Sequence, residues 1–316
     1  MTGFTLTSSK TGAVIAAASE KSSRPMLQLG EISILKRIVI TMQQAGIFPV
    51  VIIMGAENYD IQYEMYRYGV IFLRMENAEQ PTMMESLKLG LSYLKDKCER
   101  VMVMPVNVPM VSPQTLVRMI RTEGEIVKPT YHGRGGHPIL LSAEMMNNIE
   151  QRYWNEGLKE FLFLHRDRTR LIEVDDPGIL MNVHNVQEMR DYLEQHNTVI
   201  LRPHVNLTIE KERPFFDSRI KLLLYLISDT NNVRRSCEMM GLSYSKAWTM
   251  LNGLEKELGW KVVERCHGGS HGGRTRLTER GLKFVQLYQD YEEELSQFAQ
   301  NRFHEIYEDL TRKDDD

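Results

Sequence analysis

A chain of 316 residues with 39 Lys and Arg against 42 Asp and Glu has a formal net charge of only −3, so whole-chain charge singles out no nucleic-acid, membrane or acidic-substrate partner. Its length suits about two domains of ~150 residues, and a hydrophobic share of 42% supplies material for two cores. Three widely separated cysteines, Cys98, Cys237 and Cys266, exclude a disulfide framework and fit a reducing compartment. The apolar run 12–18 is too short for a membrane span and lacks the basic flank of a signal peptide, so a cytoplasmic protein with no membrane partner is expected.

Up to about residue 198, apolar runs of strand length alternate with stretches of helical period. Strands are expected at 13–17, 49–54, 70–74, 101–106 and 138–142, with helices at 33–45, 83–95 and 113–121. Continuous Val, Ile and Met runs between helices indicate a parallel sheet covered on both faces, a doubly wound Rossmann-like α/β domain over 1–198. Ligands of such sheets bind at the carboxyl ends of the strands. There the order Ile15, Ala16, Ala17, Ala18, then loop 19–23 and Arg24, suits a turn that brings backbone N–H groups to a phosphate. Small residues at that point suit close helix–strand packing equally well.

These residues resemble the signature loop of the MobA-like nucleotidyltransferases, which attach CMP or GMP to molybdenum cofactor. The resemblance covers about 12–195. Ala16, Ala17 and Ala18 match the start of the Leu-Ala-Ala-Gly loop, and Arg24-Pro-Met-Leu27 matches its end. Ser86-Leu-Lys-Leu-Gly-Leu91, Met104-Pro-Val-Asn-Val-Pro109 and Gly135-Gly-His-Pro-Ile139 match three further blocks, and Asn182-Val-His-Asn185 falls where an acidic turn belongs. The resemblance implies a ligand cleft lined by Ala16, Ala17, Ala18, Arg24, Ser86, Asn107, Gly136 and His137. The departures are chemical. Ala18 replaces the signature glycine, the loop before Arg24 is short, and Asn107 stands at the metal-binding Asp, with Asn182 and His184 at the second acidic pair. Nucleotidyl transfer relies on Mg²⁺, which prefers carboxylate oxygens. The domain is therefore read as degenerate, with no catalytic residue, no metal site and no cofactor; Mg²⁺ would be needed only if transfer persisted.

After about residue 199 the character changes. The stretch 205–209 alternates like a half-buried strand, then 219–228, 233–240 and 243–258 read as helices, and a long helix runs from Thr278 towards Tyr307. Between Arg219 and Lys283 there are twelve Lys and Arg against six Asp and Glu, a basic excess suited to phosphate. Helix, Gly241-Leu242, then a helix capped by Ser243 is a helix-turn-helix order. The start of the second helix offers Ser243, Tyr244, Ser245, Lys246 and Thr249 to DNA, while Ala247, Leu251 and Leu254 form a core stripe. Trp248 is read as core, and Glu255, Lys256 and Glu257 as the wetter end. Two short strands around 268–273 make a wing carrying Arg265, His267, Arg274 and Arg276. Cys266, His267 and His271 lack a second ligand pair, so zinc is not expected.

The segment 217–278 resembles the DNA-binding domain of the molybdate-responsive ModE regulators, relatives of the LysR-type winged helix. The resemblance runs through Gly241-Leu-Ser-Tyr-Ser-Lys-Ala-Trp248, Leu254-Glu-Lys-Glu-Leu-Gly259 and Val263-Glu-Arg265 to Arg276-Leu-Thr278. It implies double-stranded DNA as partner and a homodimer joined through the last helix, where Leu287, Tyr291, Leu295, Phe298 and Ile306 make a stripe. A mainly α winged helix-turn-helix domain over 199–312 is expected. The favoured reading is a transcription regulator linked to molybdenum metabolism, with the first domain sensing a nucleotide or pterin-like small molecule. The alternative is an active cytidylyl- or guanylyltransferase with an autoregulatory DNA-binding domain, drawing on carboxylates such as Asp175 or Asp176. A third reading keeps the first domain as a structural remnant that only dimerises the DNA module.

Overall fold

In the computed structural model, which describes residues 9–18, 25–55, 59–75, 82–184, 186–266 and 274–312, the chain divides into two units, Thr7–Leu201 and Arg202–Asp316. The first unit begins with β1 (Ser9–Ala16), β2 (Gln28–Leu29), β3 (Ile32–Ser33), α1 (Ile34–Gln44), β4 (Val50–Met54), α2 (Tyr59–Met65) and β5 (Ile71–Arg74). It continues with α3 (Met83–Leu94), β6 (Cys98–Pro105), α4 (Pro113–Arg121), β7 (Ile126–Tyr131), β8 (Arg134–Gly135) and β9 (Ile139–Ser142). It closes with α5 (Ala143–Glu150), α6 (Leu158–Leu164), β10 (Thr169–Glu173), α7 (Val186–Asp191) and α8 (Leu193–Val199).

Among the described residues one sheet has eight strands, in the order β10-β7-β9-β6-β1-β4-β5 with β8 on β7. Successive β1 residues Ala13, Val14 and Ile15 are all fully buried, which requires cover on both faces. Helices α1, α2 and α4 close one face, joining Ala13 and Ile15 in one core. Helix α3 closes the other, and Gly90 is needed there because a Cβ would sit 2.6 Å from Val14. The expectation of a wholly parallel sheet is corrected at two strands, the first being the two-residue β8, which pairs antiparallel with β7. β9 runs antiparallel to both β6 and β7, because 132–138 is too short for the crossover that a parallel neighbour needs.

The second unit comprises β11 (Ile209–Glu210), β12 (Pro214–Phe216), α9 (Ser218–Thr230), α10 (Val233–Met240), α11 (Tyr244–Leu258), β13 (Val263–Cys266), β14 (Arg274–Leu277) and α12 (Glu279–Arg312). Of the stretch 205–209 only Ile209 enters a strand, and Val205 remains outside any ladder. Each short helix carries its own stop and start signals. Asp217 caps α9 through the amides of Arg219 and Ile220, and Asn231 ends it in the left-handed region (φ 52°). Asn232 caps α10, Gly241 ends it at φ 65°, and Ser243 caps α11 through the Lys246 amide. Ala247, Leu251 and Leu254 are buried as a stripe, and Phe216 holds Phe284 and Tyr288 of α12 edge to face. Glu255 departs from its expected wet position. It is buried, and its Oε1 accepts from the amides of Val262 (2.9 Å) and Val263 (3.1 Å), which fixes where β13 leaves α11.

Candidate functional site

In the first unit the chain order places β1 between two parallel neighbours, with Ala16 opposite both Ile53 and Pro105. That switch point is where an open α/β sheet forms its crevice. Ala16 ends β1, and Ala17 and Ala18 are buried just beyond it. Asn107 lies two residues past β6, and its backbone carbonyl accepts from Val183 N at 2.9 Å. His137 N donates to the Ile179 carbonyl at 3.0 Å, immediately before a cis peptide to Pro138. Segment 177–183 thus anchors both residues by their backbones. Arg24 lies outside the described residues.

Two polar atoms here have no partner. Asn107 Oδ1 and His137 Nδ1 are both shielded from solvent and unbonded. Burial, reinforced by the Lys128 charge, lowers the His137 imidazole to about 4, so the ring is neutral near pH 7. Unsatisfied buried polar atoms cost about 1–3 kcal/mol each and are the natural place for a ligand's hydrogen bonds.

Other expected contributors turn inward. The Ser86 hydroxyl donates to the Thr82 carbonyl at 3.1 Å in its own helix, and the side chain is buried. Gly136 leaves room for the Ile179 carbonyl, which a Cβ would meet at 2.5 Å. Asp176, offered above as a metal ligand for an active transferase, is committed to the fold. It is buried; Oδ2 accepts from Ser112 N (2.9 Å) and Thr115 Oγ1 (2.6 Å), and Oδ1 from Gly178 N (3.0 Å). Asn182 Oδ1 accepts from His184 N at 3.2 Å in a local turn. Among the described residues no three His, Cys, Asp or Glu side chains gather as a metal cluster. The amide and imidazole donors at 107, 137 and 182 do not fit Mg²⁺, which favours carboxylate oxygens. A surface hollow lined by Met181, Gln187, Glu188, Asp191 and Tyr192 includes none of the expected ligand residues.

One feature of this unit escaped the sequence reading. Arg37 is buried on the apolar face of α1, where it contacts His196 Nδ1 (3.0 Å) and donates to Asn197 Oδ1 (2.8 Å) and the Leu29 carbonyl (2.9 Å). His196 Nε2 lies 3.1 Å from the Val111 carbonyl. Burial lowers the Arg37 guanidinium to about 10 and, as the largest cause, the His196 ring to about 4. The hub ties the β2–β3 turn, just after the signature loop, to α8, which leads out of the unit. An arginine inside an otherwise apolar helical stripe was the available signal.

In the second unit, a three-residue turn, Gly241 to Ser243, separates α10 from α11. Ser243, Tyr244, Ser245, Lys246 and Thr249 are exposed at the start of α11, although the Thr249 hydroxyl donates to the Ser245 carbonyl at 3.1 Å. Strands β13 and β14 pair antiparallel and expose Arg265, Arg274 and Arg276. His267 and the turn 268–273 lie outside the described residues. Trp248, expected in the core, is half-buried, with the Arg265 guanidinium 3.9 Å from its ring centroid. On α12, Val285 and Tyr288 pack inward, and Lys221 pairs with Glu292. Leu287, Tyr291, Phe298 and Ile306 remain exposed, at 67%, 54%, 68% and 45%.

Comparison with known proteins gives this geometry its relatives. Residues 15–169 match the model of the MobA-like NTP transferase domain. The N-terminal unit carries a MobA-like NTP transferase domain. A nucleotidyl transferase from Methanothermobacter resembles it in fold, with a TM-score of 0.52 at 16% identity over 59% of this chain and 98% of that one. Over its C-terminal part the chain is 33% identical across 89 residues to the transcriptional regulator ModE of Yersinia pestis. It is 29% identical across 110 residues to the DNA-binding transcriptional dual regulator ModE of Escherichia coli K12. These matches take in 28% and 34% of this chain but only 34% and 40% of the relatives' own length. No helix among the described residues is long and apolar enough to cross a membrane.

Proposed function

We propose that the protein is a homodimeric DNA-binding transcription regulator linked to molybdenum metabolism, whose MobA-like domain senses a nucleotide or pterin-like ligand without nucleotidyl transfer. The observation that carries this reading is the ModE-like surface of the second unit. A short turn leads into a helix whose first turn exposes hydroxyls and Lys246, beside a hairpin exposing Arg265, Arg274 and Arg276. That is the disposition of a winged helix-turn-helix, in which one helix start enters the major groove and the wing reaches the backbone. The molybdenum link rests on both likenesses, MobA-like for one unit and ModE for the other. The exposed Leu287, Tyr291, Phe298 and Ile306 of α12 support the homodimer.

The sensor assignment rests on the unpartnered Asn107 and His137 atoms together with the loss of carboxylates from the crevice. Asp176 has three hydrogen bonds to maintain and none to spare for a metal. A ligand bound at Asn107 and His137 has a route towards the second unit in the Leu29, Arg37 and His196 hub, which joins β2 to α8, the last helix of the first unit. Such a ligand shifts DNA affinity only through unequal binding to two states. The test is titration of a labelled fragment of the protein's own promoter at two salt concentrations. Sequence-selective binding that weakens at least tenfold from about 50 to 200 mM salt is expected. Absence of selective binding at both concentrations overturns the reading.

A further inference from the structure

The start of α11 carries a continuous row of cations and rings drawn from three elements. Arg234 of α10 lies with its guanidinium carbon 5.4 Å from the Tyr244 ring centroid. Tyr244 and Trp248 meet edge to face at 6.1 Å, and Arg265 of β13 covers Trp248 at 3.9 Å. The i, i+4 spacing of the two aromatics stacks them one turn apart on the same helix face. Arg234, Tyr244 and Arg265 are exposed, and Trp248 is half-buried. Among the described residues no ion pair is recorded for either arginine.

An exposed arginine ordinarily samples many rotamers, and ordering it on a ligand lowers affinity. A guanidinium laid on an indole face is held in advance, and stacking leaves its in-plane N–H fork directed outward. The row sets the Arg234 guanidinium beside Tyr244 in the first turn of α11 and the Arg265 guanidinium beside Trp248 in the second, near the exposed Ser243, Ser245 and Lys246. Resting on the DNA-binding reading above, we propose that Trp248 is a positioning residue. It holds Arg265, and through Tyr244 also Arg234, as a preset pair of clamps on the phosphates of double-stranded DNA beside the turn that reads the bases. Trp248 itself stacks on no base. Its ring face is already occupied by Arg265.

The test uses the full chain and the labelled promoter duplex across a salt series, with thermal unfolding as a check on each variant. Arg265→Ala is expected to weaken binding about tenfold and to reduce the salt slope by about one phosphate's worth. Trp248→Leu alters no charge, yet is expected to weaken binding about fivefold, with Trp248→Phe recovering most of the loss because a ring face is restored. Arg265→Lys keeps the charge at an exposed strand position and is expected to stay about as weak as Trp248→Leu. The Trp248→Leu/Arg265→Ala double variant should lose less than the two single losses combined, since Arg265→Ala already removes one of the two clamps that Trp248 holds. Parent-like affinity in Arg265→Lys, or in a folded Trp248→Leu, overturns the inference, as does an additive loss in the double variant. Should the parent itself show no salt-sensitive, selective binding, the DNA-binding reading fails and takes this one with it.

Discussion

The two units treat their polar side chains in opposite ways. At the carboxyl edge of β1 and β6, groups expected to meet a ligand are largely absorbed by the fold: Ser86 bonds its own helix, Asp176 braces α4 against 177–183, and Gly136 makes room for a carbonyl. Among the described residues there, Asn107 Oδ1 and His137 Nδ1 are buried and left with capacity. At the start of α11 Tyr244, Ser245 and Lys246 are exposed, although Ser243 caps the helix and Thr249 bonds the Ser245 carbonyl, and Arg234 and Arg265 sit over aromatic rings. The lesson is that shared fold and shared motif do not carry shared chemistry. What an atom can do depends on whether the fold has already used it.

The sharpest way to break the comparison is at α12. Replacing Leu287 and Phe298 together by Glu is expected to convert a dimer to a monomer in sedimentation and to weaken promoter binding a hundredfold or more, because two linked half-sites become independent. A monomeric parent, or a dimeric variant, removes α12 from the account. Next, Asp176→Ala leaves the Ser112 and Gly178 amides and the Thr115 hydroxyl without their acceptor, and should cost about 3 kcal/mol in denaturant unfolding of the first unit. An unchanged midpoint would free Asp176 for other work.

Acid provides a third test. His137 and His196 have native values depressed to about 4 from an ordinary 6.5, so each stabilises fully above about pH 6.5 and is lost as pH falls towards 4. In that window the slope is about 1.4 kcal/mol per pH unit for each ring. A flat stability profile from pH 7 to 4 contradicts their burial in the neutral form. The smallest expected effect is none. Asn107→Asp restores one carboxylate, yet pyrophosphate release from nucleoside triphosphates with Mg²⁺ should stay at background, since Asn182 is unchanged and Asp176 remains committed.

Much of this architecture was legible in the sequence. The buried runs at β1, β4, β5, β6 and β9 and the periodic stretches at α1, α3 and α4 stand where hydrophobic pattern placed them, because cover on both faces leaves little else for such runs to do. The direction of β9 was not legible, since periodicity carries no strand polarity. β7 and β10 mix Lys, Arg, Thr and Pro with apolar residues and gave a weaker signal. At the sites, the identity of Asn107 and the exposure of the α11 start were readable. The commitments of Ser86 and Glu255 turn on local geometry four to eight residues off that residue type does not fix, and that of Asp176 was not legible because a partner lies 64 residues away. Trp248 was misjudged for the same reason, since its cover comes from a charged residue on another element.

The central claim is that ligand occupancy in a non-catalytic crevice alters DNA binding. The most direct measurement is promoter affinity by fluorescence anisotropy with and without nucleoside triphosphates and molybdenum-cofactor fragments, with pyrophosphate release followed in the same samples. The account predicts an affinity change of about 5–150-fold with one of these ligands, a coupling of typical size, and no pyrophosphate above background. Affinity indifferent to all of them, or steady pyrophosphate release, contradicts it.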